Sequence, residues 1–252
     1  MGNLGSYQMI EKSWFAGLNK KTTVAVLTGA GISKESGVPT FRDSDGLWKK
    51  FKPEELASFD AFISNPDLVW DWYQFRRDLI HKVQPNPGHF ALAKIESLLP
   101  NFTLITQNVD NLHRRAGSRN VLEIHGNIDK NYCVKCQKRH DGTQFNGKKA
   151  PRCDCGGLVR PDVVWFGEML PEKTIQAAFR AAEEADYFFS IGTSAYVYPA
   201  ANLPVIAKMA GAVFIEINPQ ETPLSQQAHH FISMPSGEAL PEILRILESI
   251  IL

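Results

Sequence analysis

TVAVLTGAGISKESGVPTFR, residues 23–42, runs from a short apolar segment straight into a glycine-bearing turn. A continuous apolar run of this length suits a strand buried on both faces of a parallel sheet. Gly29 and Gly31 let the backbone turn sharply and approach a phosphate without a Cβ in the way. A helix starting near Ser33 aims its free N–H groups at the same place. The spacing is not Gly-x-Gly-x-x-Gly, because Lys34 stands three after Gly31, and a tight strand-to-helix turn explains the glycines almost as well.

Working outward, residues 102–106, 121–124, 187–191 and 212–217 read as further buried strands. Helical patterns fall at 87–99, 171–184, 200–209 and 238–251. Strands alternating with helices predict an α/β fold, a Rossmann-like doubly wound parallel sheet. Two stretches break the alternation, and both read as insertions that build a smaller lobe. The expected division assigns 1–38, 84–126 and 161–252 to the sheet domain. A helical insertion at 39–83 and a cysteine-bearing insertion at 127–160 make the small lobe.

The chain has 252 residues, 44% hydrophobic and 21% charged, enough for a sizeable core. Lys+Arg and Asp+Glu both total 27, a balance that disfavours a dedicated nucleic-acid binder. No apolar run approaches the roughly 18 residues needed to cross a bilayer. Gly2 and Ser6 match a myristoylation pattern too short to carry weight by itself.

All four cysteines cluster as Cys133-x-x-Cys136 and Cys153-x-Cys155, whereas a disulfide scaffold spreads its cysteines through a short secreted chain. Four thiolates in two close pairs can complete a tetrahedral zinc site, and a site filled by sulfur leaves no room for water, so the metal is structural. The second pair is one residue short of Cys-x-x-Cys. Zinc stays feasible there if the segment is extended, because residues i and i+2 of a strand point the same way. A reducing, cytoplasmic location fits such thiols.

TQNVDNLH follows the second strand, placing Gln107, Asn108 and Asp110 at a strand carboxyl end, where open α/β sheets bind ligands. Loop-capping residues look similar. His125 closes another strand beside Gly126 and is the best placed of the seven histidines to act as a general base. Asn65-Pro66-Asp67 starts a helix on which Leu68, Trp72, Phe75, Leu79 and Val83 recur at core spacing. Tyr73 and Arg76 share a face rotated from that stripe. Arg can grip a carboxylate through two parallel bonds and Tyr can add a third. A partly solvated basic face, continued by Arg77, is the plainer alternative.

GAGIS…GVPTFR, TQNVDNLHRRAG, EIHGN, the paired cysteines, VVWFGE (163–168), GTS (192–194) and EIN (216–218) occur in one order. Together they resemble the sirtuins, NAD-dependent protein-lysine deacylases, over nearly the whole chain. The resemblance implies NAD and one structural Zn2+, and an acylated lysine of a protein or peptide entering between the lobes. Gly29, Ala30, Gly31 and Ser33 are then expected on the phosphate and ribose side of NAD, Phe41 and Arg42 in the cofactor loop. Gln107, Asn108 and Asp110 fall at the nicotinamide end, Gly192, Thr193 and Ser194 by the ribose and phosphate, and Asn218 by the adenosine. Asn108 and Asp110 assist loss of nicotinamide, and His125 is the general base. Val164, Trp165, Phe166 and Gly167 resemble the segment that pairs with the substrate backbone. Some sirtuins with Tyr-x-x-Arg prefer succinyl, malonyl or glutaryl groups. Tyr73 and Arg76 match that motif, and Ala57 matches the small residue that widens the acyl pocket. The expected activity is desuccinylation or demalonylation, with deacetylation, giving nicotinamide, free lysine and O-acyl-ADP-ribose. A plain deacetylase, a protein mono-ADP-ribosyltransferase and an NAD-responsive binding module are the competing readings. Direct nucleic-acid and membrane partners are not expected.

Overall fold

The computed structural model describes residues 10–39, 53–145 and 147–252. The expected sites Phe41 and Arg42, and the Gly2–Ser6 pattern, lie outside the described residues. The first half of the chain forms β1 (Val24–Thr28), α1 (Ala30–Lys34), α2 (Pro53–Leu56), α3 (Phe59–Ser64), α4 (Pro66–Lys82), α5 (Pro87–Leu98), β2 (Phe102–Thr106), α6 (Leu112–Arg115) and β3 (Val121–Glu123). The second half forms β4 (Gly126–Cys133), β5 (Arg139–Asp141), β6 (Val159–Val163), α7 (Glu172–Glu183), β7 (Tyr187–Ile191), α8 (Leu203–Met209), β8 (Val213–Ile217), β9 (His230–Ile232) and α9 (Ser236–Ile251).

Six strands form an all-parallel sheet in the order β3-β2-β1-β7-β8-β9. With the small lobe set aside, this is the 3-2-1-4-5-6 order of the doubly wound fold, and its direction of growth reverses between β1 and β7. Every residue of β1 is buried. Val24 and Val26 pack with Leu92 and Ile95 of α5 and Leu240 and Ile243 of α9. Ala25 and Leu27 belong to the opposite layer, with Ala178 of α7 and Leu203 of α8. The alternation of side chains along a strand thus divides one apolar run between two helical layers. The edge strand β9 is three residues long and carries no apolar run that periodicity could detect.

The cysteine-bearing insertion folds on an antiparallel sheet, β5-β4-β6, whose last strand runs on to Val163, past position 160. Helix α4 begins as expected, with the Asn65 side chain accepting from Leu68 N–H at 3.2 Å and proline in the first turn. Its buried face is not the expected stripe. Leu68 and Phe75 are 39% and 48% exposed, while Val69, Trp70, Trp72, Tyr73, Arg77 and Ile80 are buried. The inward face is rotated by about one residue, because α4 packs between the small sheet and the loop after β6. Arg77, read as solvated, is buried: its Nε donates to the Ile128 carbonyl at 2.6 Å, and its Nη atoms bond Gln74 and Asn131. Its charge is dispersed over three acceptors and the Trp70 ring, 5.0 Å away, so the helix tolerates it inside.

Candidate active site

The carboxyl ends of β1, β2 and β7 converge at the reversal point, where this fold class binds ligands. A Cβ on Gly29 would lie 2.7 Å from Thr193 Cα, and one on Gly31 would lie 2.7 Å from Gly192 Cα. Gly31 N–H donates to the Gly192 carbonyl at 2.8 Å. These glycines therefore make room first for the loop after β7, rather than directly for a phosphate. Helix α1 starts at Ala30, earlier than expected. Ala30, Gly192 and Ser194 are half-buried around this junction.

Side chains from three loops cross-link there. Gln107 Nε2 donates to Thr193 Oγ1 at 3.0 Å, and Asn218 Nδ2 donates to the Thr193 carbonyl at 2.8 Å. Asn108 Nδ2 donates to the Gly29 carbonyl and to Ser33 Oγ, both at 3.0 Å. The Ser33 hydroxyl in turn bonds the Asp110 carboxylate, which also accepts Leu112 N–H at 2.9 Å. Burial raises the Asp110 pKa, opposed by these bonds and by the charges of Arg76 and Arg115. Ser33, expected beside the phosphate and ribose, thus shares its bonds with Asn108 and Asp110 and is itself buried.

His125 Nδ1 lies 3.0 Å from the Gln107 carbonyl. A carbonyl only accepts, so Nδ1 carries the hydrogen and Nε2 the lone pair. Burial lowers the His125 pKa, against the opposing effect of the Gln107 carbonyl, and favours the neutral ring. The His125 carbonyl accepts Val164 N–H at 2.9 Å, tying the histidine to segment 164–167, which turns as Glu168 N–H closes on the Trp165 carbonyl at 3.0 Å. In that segment Phe166 N–H donates to the Ala57 carbonyl at 2.9 Å and Trp165 N–H to Glu168 at 2.8 Å. The donors of Val164, Trp165 and Phe166 are thus already engaged.

Ala57, Tyr73 and Trp165 share one apolar cluster beneath this segment. Trp165 Nε1 donates to the Tyr73 hydroxyl at 2.8 Å. Tyr73 is fully buried, not on a solvated face, and burial raises its pKa so the phenol keeps its hydrogen. The Arg76 guanidinium lies 4.9 Å from the Trp72 ring centroid and 5.4 Å from that of Tyr73. It bonds the Tyr73 side chain and lies within the field of Asp110. Burial lowers the Arg76 pKa, countered by Tyr73 and Asp110. The spacing of the motif made this pair legible. The Trp165–Tyr73 bond joins positions 92 apart, and no sequence period signals it.

The four sulfurs of Cys133, Cys136, Cys153 and Cys155 lie within 4.8 Å of one another, with Cys133–Cys155 at 3.5 Å and Cys136–Cys153 at 3.7 Å. A tetrahedron with Zn–S of about 2.3 Å has edges of about 3.8 Å, whereas a disulfide needs about 2.05 Å. The donor set fits a structural zinc site. The shortened pair achieves this through a turn, not the expected extended segment: Gly156 N–H closes on the Cys153 carbonyl at 2.8 Å, with Gly156 at φ 80°. A Cβ on Gly157 would stand 2.7 Å from Cys133 Sγ.

A doubly wound sheet with a four-thiol lobe across its carboxyl edge is the architecture of the Sir2 enzymes. The Sir2 family profile matches residues 29–199, and the chain belongs to that family. It is 56% identical over 211 residues, 82% of this chain and 88% of the relative, to an NAD-dependent protein deacylase of Aquifex aeolicus. It is 52% identical over 223 residues, 88% of this chain and 92% of the relative, to NAD-dependent protein deacylase 1 of Caldanaerobacter subterraneus. A Sir2 homologue solved with NAD superposes with a TM-score of 0.88 at 44% identity, covering 96% of this chain and 95% of that one.

Proposed function

We propose that this chain is an NAD-dependent protein-lysine deacylase that removes carboxylate-bearing acyl groups, succinyl or malonyl, and acetyl groups as well. The observation that carries the reaction is His125, neutral and aimed by the Gln107 carbonyl, beside the cross-linked loops of β1, β2 and β7. Names of relatives at 52–56% identity support the reading.

NAD would supply a bond from ribose to a cationic pyridinium, a good leaving group, whose loss exposes the anomeric carbon to the acyl oxygen. The residues present fit such a guest: a buried carboxylate at Asp110 and the amide of Asn108 suit a carboxamide. Gly29, Ala30, Gly31, Gly192, Thr193 and Ser194 would then lie on the phosphate and ribose side, the two early glycines by letting the loop after β7 close in, and Asn218 on the adenosine side. Orientation of the weakly nucleophilic acyl oxygen can contribute about 7–11 kcal/mol. With NAD bound, His125 Nε2 would accept a proton from a ribose hydroxyl and so activate that oxygen toward the acyl carbon. NAD, acyl-lysine and one water would give nicotinamide, free lysine and O-acyl-ADP-ribose.

Acyl choice belongs to α4. Tyr73 accepts from Trp165, so its own hydrogen is left to donate, and Arg76 adds a cation beside it. Together they suit an acyl chain ending in a carboxylate, and Ala57 leaves depth for it. Free, clustered thiols suit a reducing, cytoplasmic setting. His125→Ala should lower kcat in a nicotinamide-release assay by about 10²–10⁴-fold. Turnover at the wild-type rate would remove His125 from the mechanism.

A further inference from the structure

Two histidines that take no part in the chemistry above lie behind it. His89 and His113 are 0% and 2% exposed, with ring centroids 4.8 Å apart. His89 Nδ1 accepts Asn86 N–H at 3.3 Å as half of a capping box on α5. His113 Nε2 lies 2.9 Å from Thr28 Oγ1, whose hydrogen goes to Thr106 Oγ1 at 2.8 Å. Thr106 Oγ1 also accepts Asn108 N–H at 3.1 Å. Thr28 and Thr106 are register partners at the carboxyl ends of β1 and β2.

Proton counting gives this row a direction. Because Asn86 donates to His89 Nδ1, the neutral His89 ring carries its hydrogen on Nε2. Because Thr28 spends its hydrogen on Thr106, His113 Nε2 must donate to Thr28, leaving a lone pair on His113 Nδ1. Of the four nitrogens of these two rings, His89 Nε2 and His113 Nδ1 have no bond among the described residues. The opposite polarity would leave two N–H groups unmet in an apolar interior, at a cost of about 1–3 kcal/mol. Burial pushes His89 down to about 4 and His113 well below the ordinary histidine value, so both rings stay neutral.

We infer that His113, Thr28 and Thr106 form one buried hydrogen-bond relay, running from His113 Nε2–H through Thr28 to Thr106, that positions the Gln107–Asn108 backbone. That backbone sets both ends of the site: Asn108 bonds Ser33, and the Gln107 carbonyl fixes the His125 tautomer. Asn86, bonded to His89, ties the start of α5 to the glycine turn, since its Nδ2 donates to the Ile32 carbonyl at 2.7 Å. His113 is therefore a positioning residue, and its assignment to catalysis rests on the site proposed above.

Side-chain 15N spectra of the full chain test the relay without reference to activity. His113 should be the Nε2–H tautomer, and His113 found as Nδ1–H overturns the relay. Kinetics with NAD varied at saturating acyl-peptide test its purpose. Thr28→Val and His113→Leu should each lower kcat/KM for NAD on the order of tenfold, the size of one lost buried hydrogen bond, and the double variant should lose no more. His113→Gln, whose side-chain N–H2 can still reach Thr28, should recover most of the loss. Thr28→Val at wild-type kcat/KM, or losses that multiply in the double variant, would sink the positioning role. His125→Ala in the same assay keeps the two claims apart: an active His125→Ala contradicts the site, not the relay.

Discussion

At the residue scale, one carbonyl decides what His125 can do. By holding the hydrogen on Nδ1, the Gln107 carbonyl leaves Nε2 ready to accept a proton, and burial keeps that state populated. The pKa is depressed, so the neutral form, the one a general base needs, persists as pH falls below the ordinary histidine value of about 6.5. The acid limb of kcat/KM against pH should therefore have its midpoint below about 6.5; a midpoint above it would mean that burial is not the ruling influence. The histidine itself was legible, from a strand end beside glycine. Its orienting partner was not, because a backbone carbonyl 18 positions away has no signature in side-chain identity.

At the scale of elements, α4 joins the Tyr73–Arg76 pair to the four-thiol lobe. Trp70 Nε1 donates to the Gly147 carbonyl at 2.8 Å, Gln74 Nε2 to the Phe145 carbonyl at 2.9 Å, and Ala150 N–H to Asp67 at 2.8 Å. With Arg77 on Ile128, the face adjoining Tyr73 and Arg76 is bonded along the insertion that the cysteines organise. Chelating zinc should lower Tm and raise KM for the acyl-peptide at least several-fold, with a smaller change in KM for NAD. An unchanged Tm on verified metal removal would show that zinc does not hold the lobe. The start of α4 could be read from Asn65-Pro66, because capping is local chemistry. Its buried face could not: heptad-like spacing favoured Leu68 and Phe75, whereas the face turned inward is chosen by what lies across from it. The small antiparallel sheet escaped for the same reason, since β4 and β5 carry Asp, Lys, Asn, Arg and His rather than an apolar run.

For the whole molecule, the doubly wound sheet was readable because its central strands are nearly pure apolar runs between glycine turns. What those glycines do was only half readable. A phosphate turn and a close crossing of two loops demand the same missing Cβ, and at Gly29 and Gly31 the crossing is what the structure contains. The two histidines buried neutral behind the junction also bear on global stability. Their folded-state pKa values lie below the unfolded value of about 6.5, so the unfolded chain binds more protons under acid and stability falls with pH. For His89 the loss runs from about 6.5 down to about 4. Urea midpoints should decline across that window, and His89→Asn should flatten the decline. An equally steep decline in the variant would place its origin in other groups.

The central claim is that α4 reads a carboxylate on the acyl group of a lysine deacylated at the expense of NAD. The most direct measurement is kcat/KM on matched succinyl- and acetyl-lysine peptides, by NAD-dependent nicotinamide release, for the wild type and Arg76→Met. The account predicts a wild-type preference for succinyl, and about 10–100-fold loss of succinyl activity in Arg76→Met with acetyl activity within about threefold. Equal losses on the two peptides, or a wild-type preference for acetyl, would contradict it.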